Sequence, residues 1–260
     1  MQPKLFDIHC HLDFPDFDKD REEVIKRALD AGIGMINVGT DYESSKKAIE
    51  LAEAYAGIYA TIGVHPHDAK INFDYKKFLA LAKHPKVVSI GECGLDFYRN
   101  QGNQDNQIEL FKQQIELAME VDKPLMIHCR DAHKDLLEIL AAFYSLLSTR
   151  YNGNLHFFSG TLEEAQQYFD LGFTISFAGP VTYDANRITD IVSRAPVDKI
   201  MIETDSPFAA PAPFRGKRNE PFYVQEIARK IAEIKCLTYE KICEITVKNA
   251  LRSFFKNVKV

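Results

Sequence analysis

The chain has no run of about 18 consecutive apolar residues, so no membrane-spanning helix is expected. Its start, Met1-Gln2-Pro3-Lys4, has neither a basic leader nor a small-residue cleavage site, which points to a cytoplasmic setting. Cysteine is scarce. Five residues without C-x-x-C spacing make neither a disulfide framework nor a zinc knuckle. Positive charge is not in excess either: 32 Lys and Arg face 37 Asp and Glu, a formal net charge of −5. A surface that grips nucleic acid by global electrostatics is thereby excluded, and any phosphate must be held locally. No G-x-G-x-x-G follows the first apolar run, which argues against a dinucleotide-binding sheet. Low-complexity tracts and solenoid-period repeats are absent as well.

What is present is alternation. Eight short, mostly β-branched apolar runs predict strands at Lys4–His9, Met35–Gly39, Ile58–Gly63, Val87–Gly91, Pro124–His128, Asn154–Phe158, Phe173–Phe177 and Lys199–Glu203. Between them, segments of helical period predict helices that include Arg21–Leu29, Ser44–Tyr55, Gln107–Val121, Lys134–Leu147, Leu162–Phe169 and Ala185–Ser193. Two more, Pro221–Lys235 and Tyr239–Phe255, follow the last strand. Eight strand-helix units in 260 residues are the size and pattern of an α/β (β/α)8 TIM barrel. An open doubly wound sheet has the same alternation. Closure is favoured because candidate ligands fall at the C-terminal ends of runs one, four, five, six and eight, which only a ring gathers around one point. The expectation is one barrel domain over residues 1–260.

Those candidates are His9, His11, Glu92, His128, His156 and Asp205. His9 and His11, at i and i+2 of an extended segment, point to the same side. With Glu92 and Asp205 they complete one metal site, and Glu92, His128 and His156 form a second beside it. This mixture of imidazole and carboxylate suits two divalent ions of the zinc, manganese, cobalt or nickel class; magnesium is less natural because it prefers oxygen. Two cations sharing a carboxylate acidify a water and accept charge growing on a carbonyl or phosphoryl oxygen. Glu92 and Asp205 are thus the catalytic candidates, with Asp205 both ligand and proton acceptor. Cys10, Cys93 and Cys129, each one position past a candidate ligand, are expected to turn away from the lumen as buried thiols. His84 and His133 are expected to be solvated.

Several segments resemble the TatD family of metal-dependent hydrolases: Asp7-Ile-His9-Cys-His11-Leu-Asp13, Gly63-Val-His65-Pro-His67, Gly91-Glu92-Cys-Gly94-Leu-Asp96, Ile127-His128-Cys-Arg130-Asp131-Ala132, Glu203-Thr-Asp205-Ser206-Pro207, Arg215-Gly-Lys217-Arg218-Asn219-Glu220-Pro221 and Asn249-Ala-Leu-Arg252-Ser-Phe254. The resemblance spans essentially the whole chain. It implies a barrel of the amidohydrolase type, two metals at the residues already named, and deoxyribonuclease activity of the 3′ to 5′ exonuclease kind. The implied partner is DNA, as single strands or 3′ ends, with no membrane and no protein partner expected. At His156-Phe157-Phe158-Ser159-Gly160 the family commonly has cysteine in place of Phe157, a difference expected to alter packing without loss of the ligand. Substrate contacts are expected from His65 on the rim, from Arg130 as a bidentate phosphate donor, and from Arg215, Lys217 and Arg218. That last loop joins cations to Phe208 and Phe214 in the manner of a single-strand groove. The same metals would serve an ester or amide, including an aminoacyl ester on RNA, so that bond class is the alternative.

Overall fold

The computed structural model describes residues 3–70, 73–98, 103–144, 152–183 and 187–255. The strands are β1 (Leu5–Cys10), β2 (Ile33–Val38), β3 (Ile58–Ile62), β4 (Val87–Asp96), β5 (Leu125–Arg130), β6 (Gly153–Leu155), β7 (Phe173–Phe177) and β8 (Ile200–Ile202). All pair in parallel and in chain order. The ring closes where β1 meets the segment past β8: Asp205 N donates to His9 O (2.9 Å) and His11 N to Ser206 O (2.8 Å). The (β/α)8 barrel read from the alternation is therefore the fold.

Around it run α1 (Arg21–Asp30), α2 (Tyr42–Ala54), α3 (Tyr75–Ala82), α4 (Gln104–Glu120), α5 (His133–Tyr144), α6 (Leu162–Asp170), α7 (Arg187–Arg194), α8 (Val224–Lys235) and α9 (Tyr239–Phe254). Helix α3 was not among the segments picked out by periodicity; it is only eight residues long. The expected helix ends at Leu147 and Ala185 lie outside the described residues. Capping is local and legible: the Asp41 side chain accepts from Ser44 N and the Thr161 hydroxyl from Glu164 N, each within a capping box. Among the described residues no helix is long and apolar enough to cross a membrane.

Two apolar layers result. The larger lies between sheet and helices and takes in Cys10, Cys93 and Cys129, the thiols expected there. The smaller fills the barrel floor, where Phe6, Ile8, Val38, Val88, Met126 and Met201 pack on Val247, Ala250 and Phe254 of α9. Helix α9 thus plugs one end, and the opposite mouth is left for chemistry.

Two irregularities aim side chains at that mouth. Phe6 and Ile8 face the floor, yet His9 and His11 also face inward, because a register shift between Asp7 and Cys10 changes the phase of the alternation. A second shift lies between Ile90 and Cys93, around Glu92. Gly91 there has φ 146°, and a Cβ on it would overlap the Met126 carbonyl oxygen. Gly91→Ala is therefore expected to lower the unfolding free energy by about 3 kcal/mol or more. An unchanged urea midpoint for that variant would contradict this account of the bulge.

Candidate metal centre

The first donor set draws on three distant parts of the chain. His9 Nε2 and His11 Nε2 are 3.2 Å apart. Glu92 Oε2 lies 3.5 Å from the first and 3.7 Å from the second, and Asp205 Oδ1 lies 3.7 and 3.5 Å from them. A tetrahedral ion with ligands at about 2.0–2.1 Å has ligand-ligand edges of about 3.4 Å. The five distances among these atoms, 3.2–3.7 Å, match that spacing. Chemistry agrees with geometry: two imidazole nitrogens at hydrogen-bond distance can share only one proton, and a cation satisfies both. His11 Nδ1 lies 2.9 Å from Val38 O, an acceptor only, so Nδ1 carries the proton and Nε2 turns its lone pair inward.

The second set gathers on the other oxygen of the same carboxylate. Glu92 Oε1 is 2.9 Å from His156 Nε2, 3.1 Å from His128 Nδ1 and 3.3 Å from His65 Nε2. The outward nitrogens of His128 and His156 again face acceptors, whereas His65 Nδ1 accepts from His67 N (3.1 Å), which places its proton on Nε2 toward Glu92. Asp96 Oδ2 lies 3.0 Å from His128 Nε2 and 2.9 Å from His67 Nε2. Glu203 Oε1 is 3.4 Å from His156 Nδ1. Glu203 is itself fixed, accepting from Phe157 N at 2.7 Å and from Ser176 Oγ at 2.6 Å. Asp96 is anchored through its backbone, which exchanges two hydrogen bonds with the Gln107 amide (2.8 and 3.0 Å).

Electrostatics binds the cluster into one unit. Burial works against charge on Glu92, but the imidazoles of His65, His156 and His128 hold its carboxyl well below the usual range. Burial likewise opposes protonation of His11, yet Asp205 and Glu92 raise it to about 9. His65 goes the other way, pushed down to about 4 by burial. Asp205, although buried, is held low by His11 and His9. Cations entering such a set displace shared protons, so binding tightens as pH rises through the imidazole range.

Asp96 and Glu203 were missed as functional candidates, although both lie inside the quoted motifs; His67, weighed with His65 as a rim residue that contacts phosphate or orients a ligand, is the imidazole that meets Asp96. For Asp96 the available signal was even spacing from Glu92 along one strand. The carboxylate that orients His128 leads to a prediction. Asp96→Ala should weaken Mn2+ binding by roughly 10- to 100-fold. Calorimetric titration checks it, and unchanged affinity would remove Asp96 from the site.

The donor sets open into a cavity of about 680 Å³. Of the five residues expected to meet substrate, His65 and Arg130 line it. His65 stands within the second donor set itself. Arg130 lays its guanidinium 3.8 Å from the Tyr98 ring. Arg215, Lys217 and Arg218 are exposed and do not line the cavity. Arg215 sits over Tyr183 at 4.4 Å. Arg218 makes a bidentate pair with Asp20 (2.7 and 2.6 Å) and also donates to Asp16 O, fastening its loop to the start of α1. Phe214 is stacked on Tyr223 at 3.9 Å.

Two local expectations need correcting. His133 is engaged inside the fold: its Nδ1 lies 3.0 Å from Tyr168 Oη and 3.3 Å from Cys129 Sγ, on the inner side of α5, whereas His84 is half-buried with its Nε2 3.1 Å from Glu53 on the surface. Nor is Phe157 merely an outward packing neighbour. It adopts φ 46°, which breaks the alternation after β6, and its side chain lines the cavity.

The TatD related DNase family model matches residues 6–255. A metal-dependent hydrolase named YabD, of Bacillus subtilis and described as uncharacterized, is 43% identical over 254 residues, covering 96% of this chain and 98% of its own. The 3′-5′ ssDNA/RNA exonuclease TatD of Citrobacter koseri is 38% identical over 237 residues, covering 88% and 90%. The crystal structure of YJJV, a TatD homolog from Escherichia coli, matches with a TM-score of 0.90 at 30% identity, covering 98% of this chain and 99% of that one.

Proposed function

This chain belongs to the TatD family of metal-dependent hydrolases, and from that premise we propose that it removes nucleotides from the 3′ ends of single-stranded DNA by hydrolysing phosphodiester bonds. The observation that carries the reading is the position of Glu92, whose two carboxylate oxygens face two separate donor sets at 2.9–3.7 Å. His9, His11, Glu92 and Asp205 would hold one divalent ion, and Glu92, His128 and His156, with His65 adjacent, a second. Ions of the zinc, manganese, cobalt or nickel class supply an acidified water and neutralise charge on the phosphoryl oxygens. The rest falls to side chains of this chain. Asp205 accepts the proton of the attacking water, since its carboxylate lines the cavity. Arg130 neutralises a non-bridging phosphate oxygen, with Tyr98 beneath it holding the guanidinium flat. Asp96 and Glu203 keep His128 and His156 from rotating away. Free thiols suit a reducing compartment, and we place the activity in the cytoplasm.

One observation favours the ester or amide reading: among the described residues lining the cavity, Arg130 is the one lysine or arginine. Relatives named as ssDNA/RNA exonucleases weigh on the other side. The test is direct. Protein stripped with chelator and resupplied with Mn2+ is incubated with 5′-labelled single-stranded DNA, duplex DNA, RNA, and a panel of carboxylic esters and amides. A ladder shortening from the 3′ end of the single strand is expected; turnover confined to the acyl panel would overturn the proposal.

A further inference from the structure

We propose that Phe208, backed by Phe14, is a stacking platform for the 3′-terminal nucleobase, so that the enzyme grips the end it cleaves by the face of its base. This rests on the exonuclease reading above and adds to it a nucleobase subsite. Phe208 is 51% exposed, among the few large apolar side chains left so open. A lone exposed phenylalanine needs no explanation; this one has three features that a random surface ring lacks.

First, it stands at the donor set. Its N–H donates to Asp205 O (2.9 Å). Its ring lies 6.4 Å from that of His11 and 6.1 Å edge-on from Phe14, which is itself stacked on His11 at 4.6 Å. A base on Phe208 is within one nucleoside's reach of the first donor set. Second, the backbone beneath the ring is fixed. Buried Asn219 donates to Phe208 O (2.7 Å) and Thr204 O (2.8 Å), while its own N–H donates to Pro207 O (3.0 Å). Third, the ring borders the cavity on the rim formed by the loops after β1 and β8, beside Ala209. An aromatic face kept exposed on rigid backbone loses little freedom when a base covers it. Phe214 gives one face to Tyr223 and does not line the cavity.

The test compares two 5′-labelled oligonucleotides that differ only at the 3′-terminal nucleotide, one natural and one an abasic tetrahydrofuran. Stacking onto an aromatic side chain is worth enough that wild type should show a KM for the natural end roughly 5- to 100-fold lower than for the abasic end. In Phe208→Ala the KM of the natural end should rise until the two differ by about twofold or less, with kcat much less affected. Phe208→Trp should keep the discrimination. Equal KM ratios in wild type and Phe208→Ala, or no discrimination in wild type, would overturn the platform while leaving the exonuclease standing. Failure of wild type to digest any nucleic acid with Mn2+ would overturn both.

Discussion

Glu92→Ala is expected to reduce the rate of DNA hydrolysis by at least about 10³-fold, because both donor sets lose the one ligand they share. The size follows from position. Each oxygen of this carboxylate meets its own group of imidazoles, His9 and His11 on one side and His65, His128 and His156 on the other. Glu203 groups with His9 and His156, but its two oxygens already accept from Phe157 N and Ser176 Oγ. Asp205 reaches His9 and His11, Asp96 and Glu203 stand behind His128 and His156, and all three are already engaged. Steady-state rates over a Mn2+ titration check the effect. Activity restored at high Mn2+ would mean that the carboxylate contributes only affinity.

Asp205→Asn is expected to cost roughly 10²- to 10⁴-fold in kcat. This substitution separates chemistry from folding. Asp205 has φ 54°, a left-handed conformation that asparagine tolerates better than most residues. Its N–H bond to His9 O, part of the barrel's closure, needs no side chain. The variant should therefore fold with an unaltered melting profile and lose what the carboxylate alone provides, a negative ligand and a proton acceptor. A near-normal kcat for Asp205→Asn would take the proton-acceptor role away from this residue.

Much of this architecture could be read from the chain because it rests on local physics. Apolar runs at barrel spacing named all eight strands, and the ends of five of them named the six residues that converge. What periodicity could not deliver were the departures from it. His9 and His11 were aligned by alternation, yet they reach the lumen only because a bulge after Asp7 resets the phase set by Phe6 and Ile8. Likewise β4 was expected to stop at Gly91; pairing resumes past the bulge and carries Asp96 up to His128. Glu203 was read as the end of a strand, and its contact with His156 joins elements far apart in sequence. The basic loop was misleading in another way. Charge and aromatic content predicted a groove, but Arg218 is occupied by Asp20, a partner 198 residues away that no local pattern reveals. Phe157 shows the same limit in miniature, since a single left-handed residue turned an expected packing position into cavity wall.

Glu92 is proposed to serve two ions at once. Crystals grown with Mn2+ and measured at the manganese absorption edge decide this. Two anomalous peaks about 3.5–4 Å apart are expected, one on each side of Glu92. The first should touch His9, His11 and Asp205, and the second His128 and His156. A single peak, or two peaks not bridged by Glu92, would contradict it.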